Sequence, residues 1–273
     1  MEGFSQIDGW AIAAIAAKAS SYAATLLAIG GVLFVLAFPK PDMLSARQLA
    51  TRIAVAAAVI GFVVLATRFG LRAARISGMG FSGAVDTMML SFVWESPLGN
   101  AAIWRGTGFA AILLLPACPI GPYVAGAGAL CLAVSFAFVG HALAEPRMVL
   151  GALVTLHVLG VGFWVGALAP LFRAASAPDG AATLHRFGVV AVFVVSGLAL
   201  AGAGFALAVS GSPSELIGTA YGTALLSKLV VVTGLLALAA KNKLVLVPAL
   251  ARNEAGAPAR LQRAIRLEGV AVA

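Results

Sequence analysis

Charged residues are scarce in this sequence, and their scarcity excludes a soluble domain. Only 10% of the 273 residues are charged, whereas 62% are hydrophobic. Such a chain has too few polar side chains to surround an apolar core with a water-facing surface. Apolar runs of about 20 residues recur along it, which is the length of a helix that crosses a hydrocarbon core. The sequence therefore predicts an integral membrane protein.

Catalytic motifs are also missing. We find no nucleophile elbow, Walker loop, HExxH motif or pair of carboxylates at catalytic spacing. The two cysteines, Cys118 and Cys131, have no CxxC spacing, which indicates small buried residues rather than a disulfide or a cysteine metal site. We predict that the protein is not an enzyme, since only a bound redox cofactor would give it a catalytic activity.

The net charge of +8 does not indicate nucleic-acid binding. The basic residues cluster at the ends of the apolar runs, which is typical of membrane topology and of contact with lipid headgroups. The partners implied by this pattern are a lipid bilayer and no nucleic acid.

The apolar runs predict an all-α fold, a polytopic transmembrane helix bundle that forms one domain over residues 1–273. Residues 81–94 are apolar but short and contain Asp86, so we expect an interfacial or half-inserted helix there. Residues 269–273 resemble the opening of an eighth span that is missing or truncated. The seven predicted spans are residues 10–38, 53–67, 98–115, 123–139, 148–171, 184–209 and 221–240.

Basic residues in the short loops favour an N-terminus outside the membrane, because most of them then lie inside. Arginines between the second span and residue 81 contradict this orientation. The inner group contains Lys40, Arg47, Arg52, Arg173, Arg186, Lys241, Lys243 and four arginines of the tail, and the outer group contains Arg68, Arg72, Arg75 and Arg147. The tail itself, residues 252–268, is predicted to form a basic surface helix.

The fifth span carries polar side chains on one face. His157, Gly160, Trp164 and Leu168 recur at spacings that return to one side of a helix. An ionisable side chain inside a span is costly and is by default a functional hypothesis. Gly162 lies on the other side of this helix and begins a small-xxx-small pattern, which permits close helix contact.

Two histidines and three methionines are predicted to share the outer half of the membrane. His141 ends the fourth span, and His157 lies about 14 Å into the fifth at about 1.5 Å per residue. Imidazole and thioether together suit copper: thioethers favour Cu(I), and imidazole accepts either oxidation state. The alternative is that the methionines only pack and that His141 is solvated. The predicted metal ligands are His141, His157, Met148, Met88 and Met89.

Further polar residues are candidates for a transport path. His185 begins the sixth span on the inner side and is either an exit-side ligand or an interfacial residue. Lys228 lies at a depth similar to that of His157 and could tune the charge of a nearby site. Glu145 lies in the link between the two predicted histidine ligands.

Motifs of the C-terminal half resemble the copper resistance D (CopD) family of bacterial inner-membrane proteins. The likeness covers residues 141–268, with a weaker similarity at residues 99–105. It rests on His157-x6-Trp164-x-Gly166-x-Leu168, His185-Arg186-Phe187, Tyr221-Gly222-x3-Leu225-Leu226-x-Lys228, Asn242-Lys243-x4-Pro248 and Arg263-x-Ile265-Arg266-x-Glu268.

The resemblance implies a multi-pass inner-membrane protein that handles copper beside a separate periplasmic carrier of the CopC type. His157, Trp164, Lys228 and Asn242 are the family-like residues by position. Many relatives complete one more span after the position of Glu268, and the sequence stops short of it.

The sequence is compatible with three functions. The leading hypothesis is a copper permease that imports copper from the periplasm through the outer-half histidine site. The second is a membrane redox protein whose paired histidines bind haem. The third is a scaffold that holds the periplasmic carrier without transporting copper.

Overall fold

Long apolar helices form the whole architecture in the computed structural model, which describes residues 9–39, 43–210 and 220–272. Every long regular element of these residues is an α-helix, which confirms the predicted all-α bundle. The α-helices are α1 Gly9–Ala37, α2 Leu44–Ser77, α3 Phe81–Val85, α4 Thr87–Glu95, α5 Pro97–Leu113, α6 Gly121–Val134, α7 Arg147–Ala174, α8 Gly180–Ser210, α9 Ala220–Lys241, α10 Val247–Ala251 and α11 Ala257–Val272.

Six helical segments of the described chain are long and apolar enough to cross a membrane. They correspond to α1, α2, α6 with its 3-10 extension, α7, α8 and the continuous helix from α9 to α10. The 17 residues of α5 are enough for a seventh crossing, because about 17 to 25 residues span a bilayer. The protein is therefore a multi-pass membrane protein, and the six to seven long apolar helices of the described residues agree with the predicted number of about seven spans.

Successive spans alternate in direction, so the first residues of some helices and the last residues of others lie at the same end of the bundle. We call the end where α1 begins the N-terminal face; α5, α7 and α9 also begin there, and α2 and α8 end there. The predicted position of this face outside the membrane remains a prediction.

The helices α1 and α7 are in close backbone contact. A Cβ atom at Gly30 of α1 would meet the carbonyl oxygen of Gly162 and would lie 2.6 Å from the Cα of Gly166. Gly31 approaches α2 in the same way, since its Cβ would lie 2.6 Å from the carbonyl oxygen of Ala50. The close contact predicted for the glycine face of the fifth span is confirmed, and its partner is the glycine pair of α1.

The second predicted span is only the middle of a longer helix. Residues 44–52, which contain the Arg47 and Arg52 assigned above to a short loop, and the arginines after residue 67 belong to α2, which has 34 residues. Arginine and alanine are strong helix formers, so charge does not interrupt a helix where it leaves the apolar layer. The helix ends instead at Gly78, whose φ of 68° is a left-handed C-cap conformation.

Residues 81–94 form two short helices, α3 and α4, rather than one. Asp86 separates them because its Oδ1 accepts a hydrogen bond from the backbone N–H of Met89 at 2.9 Å and caps α4. Neither helix is long enough to cross a bilayer, in agreement with the predicted absence of a full span.

The last predicted span is too short at its C-terminal end. The helix continues beyond residue 240 through a π-helical segment, Asn242–Leu246, into α10. Asn242 therefore lies inside a helix and not in a terminal loop. The following helix α11 has exposed Arg260, Arg263 and Arg266, as predicted for the basic tail, but its opposite face packs on α7 and α9.

Candidate functional site

His157 lies on the face of α7 that packs against α8. A Cβ atom at Gly202 of α8 would lie 3.5 Å from Nδ1 and 3.6 Å from Cε1 of the imidazole. The ring also interacts with the backbone of Leu198. Its Nδ1 is buried and has no hydrogen-bond partner. A half-buried imidazole thus has an unused nitrogen between two helices, where an unsatisfied polar atom is costly.

Two turns further along the same face, Trp164 joins a polar cluster. Its Nε1–H donates to Oε2 of Glu268 at 3.4 Å. The Nδ2 group of Asn242 donates to the other carboxylate oxygen, Oε1. We call these three residues the Glu268 cluster. The seven residues that separate His157 from Trp164 correspond to about 10 Å along the helix.

Glu268 ends the family pattern but is not among the site residues that the sequence predicts. It is 5% exposed, and it receives its two hydrogen bonds from α7 and from the π-helical segment. A signal for it exists in the sequence: Leu261, Ala264, Ile265 and Glu268 share one face of α11, and this face is buried. An acid on the apolar face of an amphipathic helix needs a polar partner.

The Glu268 cluster lines a cavity of about 380 Å³ between α7, α8, α9 and α11. Most of the lining is apolar, with Phe163, Phe187 and several leucines and valines. Its polar side chains are those of the cluster and Lys243, whose aliphatic stem lies near Gly188 of α8. A few convergent polar groups in an apolar pocket are typical of binding sites.

The predicted methionine ligands do not surround His157. Met148 begins α7 and is 90% exposed, about 13 Å along the helix from the imidazole. Met88 is 62% exposed, and Met89 is half-buried on the same helix α4, which packs on α2 and α5. Glu145 accepts a hydrogen bond from the backbone N–H of Arg147 at 3.2 Å, outside the bundle. Their role as copper ligands stays a prediction.

The remaining predicted residues are spread over both ends of the bundle. His141 belongs to a 3-10 segment, Gly140–Leu143, at the N-terminal face, and its side chain lies outside the described residues. His185 is exposed near the start of α8, about 25 Å along that helix from the contact with His157. Lys228 is exposed on α9. Within the described part of the chain, no second imidazole faces His157 as haem ligation would require.

No group of three or more His, Cys, Asp or Glu side chains that could hold a metal ion occurs among the residues that the structure describes. Cys131 is half-buried, but Cys118 is exposed, so the expected burial is wrong for Cys118; neither forms a disulfide. The described site offers a single unused imidazole nitrogen and, about 10 Å further along α7, a carboxyl group that accepts two hydrogen bonds.

Comparison with known families covers nearly the whole chain. Residues 7–149 match the family described as copper resistance protein D-like, N-terminal domain, and residues 181–273 match copper resistance protein D. No curated protein and no solved structure matches the sequence. The predicted division into one membrane domain with a family-like region at residues 141–268 stays a prediction. Together the two matches and the membrane-spanning helices show that this chain belongs to the copper resistance protein D family of multi-pass inner-membrane proteins.

Proposed function

We propose that the protein carries copper across the inner membrane through a path between α7 and α8. The observation that supports this most directly is the unused Nδ1 of His157, buried at the contact of the two helices. Imidazole nitrogen binds copper in either oxidation state, and a neutral imidazole has one lone pair for it. The proposed direction is from the periplasm inward, with the N-terminal face outside.

Copper enters this path at the N-terminal face and leaves it by way of the Glu268 cluster. Met148, exposed at the start of α7, is suited to receive copper from a separate CopC-type carrier because its thioether is accessible to a partner. His157 is the next ligand along α7. The carboxyl group of Glu268, whose pKa is raised to about 7 by burial, then offers oxygen ligands in the other half of the bundle, beside the cavity. No catalytic step is part of this proposal.

His157→Ala is expected to lower copper uptake by about tenfold or more, because the path loses its buried nitrogen ligand. The measurement is uptake of radioactive copper into proteoliposomes that contain the purified full chain. His185→Ala is the matched control, since that exposed histidine lies about 25 Å along α8 from the contact with His157 and is not part of the proposed path. Unchanged uptake by a folded His157→Ala protein would contradict the proposal and favour the scaffold alternative, in which the outer loops hold the carrier.

Substitutions of Gly202 test the same site while leaving the histidine in place. An alanine Cβ fits at ordinary contact distance, 3.5 Å from Nδ1. A leucine side chain is larger and fills the space that a copper ion needs beside the imidazole. We expect uptake close to normal for Gly202→Ala and at least about tenfold lower for Gly202→Leu, with both proteins monodisperse in detergent. Equal uptake by the two variants would place copper elsewhere.

A further inference from the structure

A buried cationic cluster lies in the same half of the bundle as His157 but between other helices. Its centre is Arg105 of α5, which is 1% exposed. A guanidinium stays protonated under ordinary conditions, so burial leaves it charged. A buried charge is strongly destabilising unless a partner compensates for it. Arg105 is therefore expected to have an anionic partner.

The hydrogen bonds of Arg105 leave part of its guanidinium unsatisfied. Its Nε–H donates to Oγ of Ser135 at 3.0 Å, and that hydroxyl donates onward to the carbonyl oxygen of Leu132 at 2.6 Å. The Cζ atom lies 5.0 Å from the centroid of the Phe136 ring. Nη1, however, is buried and has no hydrogen-bond partner. An acceptor with negative charge would satisfy both the donor and the charge.

A second guanidinium increases the positive charge at this place. Arg68 of α2 acts electrostatically on Arg105, and its own Nη1–H donates to Oγ of Ser21 at 3.1 Å. Tyr22 of α1, whose ring lies 5.3 Å from that of Phe136, is the other group that acts on Arg105.

No carboxylate compensates for these charges among the described residues. Glu254 pairs instead with Arg252 and Arg260, in the connection between α10 and α11. The partners that Arg105 and Arg68 do have are neutral hydroxyls and aromatic rings. Two like charges held together by neutral groups leave an excess of positive potential.

We propose that a small inorganic anion binds between Arg105 and Arg68, with chloride as its simplest representative. The buried Nη1–H of Arg105 donates to it, and the charge of Arg68 adds to the attraction. A lipid phosphate fits less well, because Arg105 lies about 12 Å along α5 from the N-terminal face and is enclosed by helices. The anion also offsets the positive potential that the two arginines would otherwise present to a cation in this half of the membrane. The inference does not depend on the copper path.

Equilibrium binding of radioactive chloride tests this site directly. The purified full chain is placed in zwitterionic nanodiscs, with gluconate keeping the ionic strength constant. We expect saturable binding, weakened by about tenfold or more in Arg105→Gln and in Arg68→Gln, because each loses one charge-assisted contact. Arg75→Gln is the matched control: this exposed arginine lies on the same helix as Arg68 and should leave binding unchanged.

Two outcomes would overturn the proposal. One is the absence of saturable chloride binding to the unmodified protein. This includes the case in which the protein binds no chloride but is stabilised by nanodiscs of anionic phosphatidylglycerol, which would identify a lipid headgroup as the anion. The other is binding that is unchanged in Arg68→Gln. The second outcome is decisive even if Arg105→Gln does not fold, since Arg68 is only half-buried and its loss is tolerated more readily.

Discussion

Gly30→Val is expected to prevent assembly of the folded bundle. Any Cβ at this position meets the carbonyl oxygen of Gly162 and lies 2.6 Å from the Cα of Gly166. Both atoms belong to the backbone of α7, so no side-chain rotation can relieve the overlap. Overpacking of a tight core costs about 1–3 kcal/mol, and separation of α1 from α7 adds the loss of their contact. We expect stability to fall by about 3 kcal/mol or more, measured by thermal unfolding and by the monodisperse fraction in size-exclusion chromatography.

A glycine with free space provides the control for this prediction. Apart from its chain neighbours and the backbone of its own helix, no atom of the described residues lies within 4 Å of the Cβ that Gly106→Ala would add to α5. Alanine favours a helix interior over glycine by about 1 kcal/mol, so this variant should be as stable as the unmodified protein or slightly more so. A Gly30→Val protein with the unfolding temperature of the unmodified protein would show that α1 and α7 do not cross at these glycines.

The contact between α1 and α7 shows which parts of the fold can be predicted from sequence patterns and which cannot. The glycines of α7 predict a close helix contact because they leave its backbone uncovered on one side. Their partner, Gly30, cannot be identified in the same way, since glycine is frequent throughout the chain and spacing within one helix carries no information about its neighbours. Apolar runs similarly locate the spans, but helix ends depend on capping and on tertiary contacts.

The functional residues also fall into those that one helix pattern predicts and those that depend on contacts between helices. His157 and Trp164 are predictable because an imidazole and an indole recur on one face of an apolar helix. Glu268 and Arg105 require knowledge of other elements: the partners of Glu268 come from α7 and the π-helical segment, and those of Arg105 come from the 3-10 segment that follows α6. A charged residue in an apolar run indicates that a partner is needed, but it does not identify that partner.

Glu268→Ala is expected to detach α11 from the rest of the bundle in addition to disturbing the cavity. Removal of the carboxylate leaves the Nε1–H of Trp164 and the Nδ2 group of Asn242 without their acceptor. A buried donor that loses its partner costs about 1–3 kcal/mol. Stability should therefore fall by about 2 kcal/mol or more, and α11 should be cleaved sooner in limited proteolysis.

Two further carboxylate substitutions separate the loss of this hydrogen-bond pair from a general effect of charge. Glu268→Gln keeps one acceptor oxygen and replaces the other by an NH2 group, which cannot accept from the second donor, so its stability should lie between those of the unmodified protein and Glu268→Ala. Glu254→Gln removes a carboxylate that is exposed and bound only to Arg252 and Arg260, and it should leave the unfolding temperature unchanged. If Glu268→Ala and Glu254→Gln gave the same proteolysis rate, the carboxylate of Glu268 would not be what holds α11 on α7.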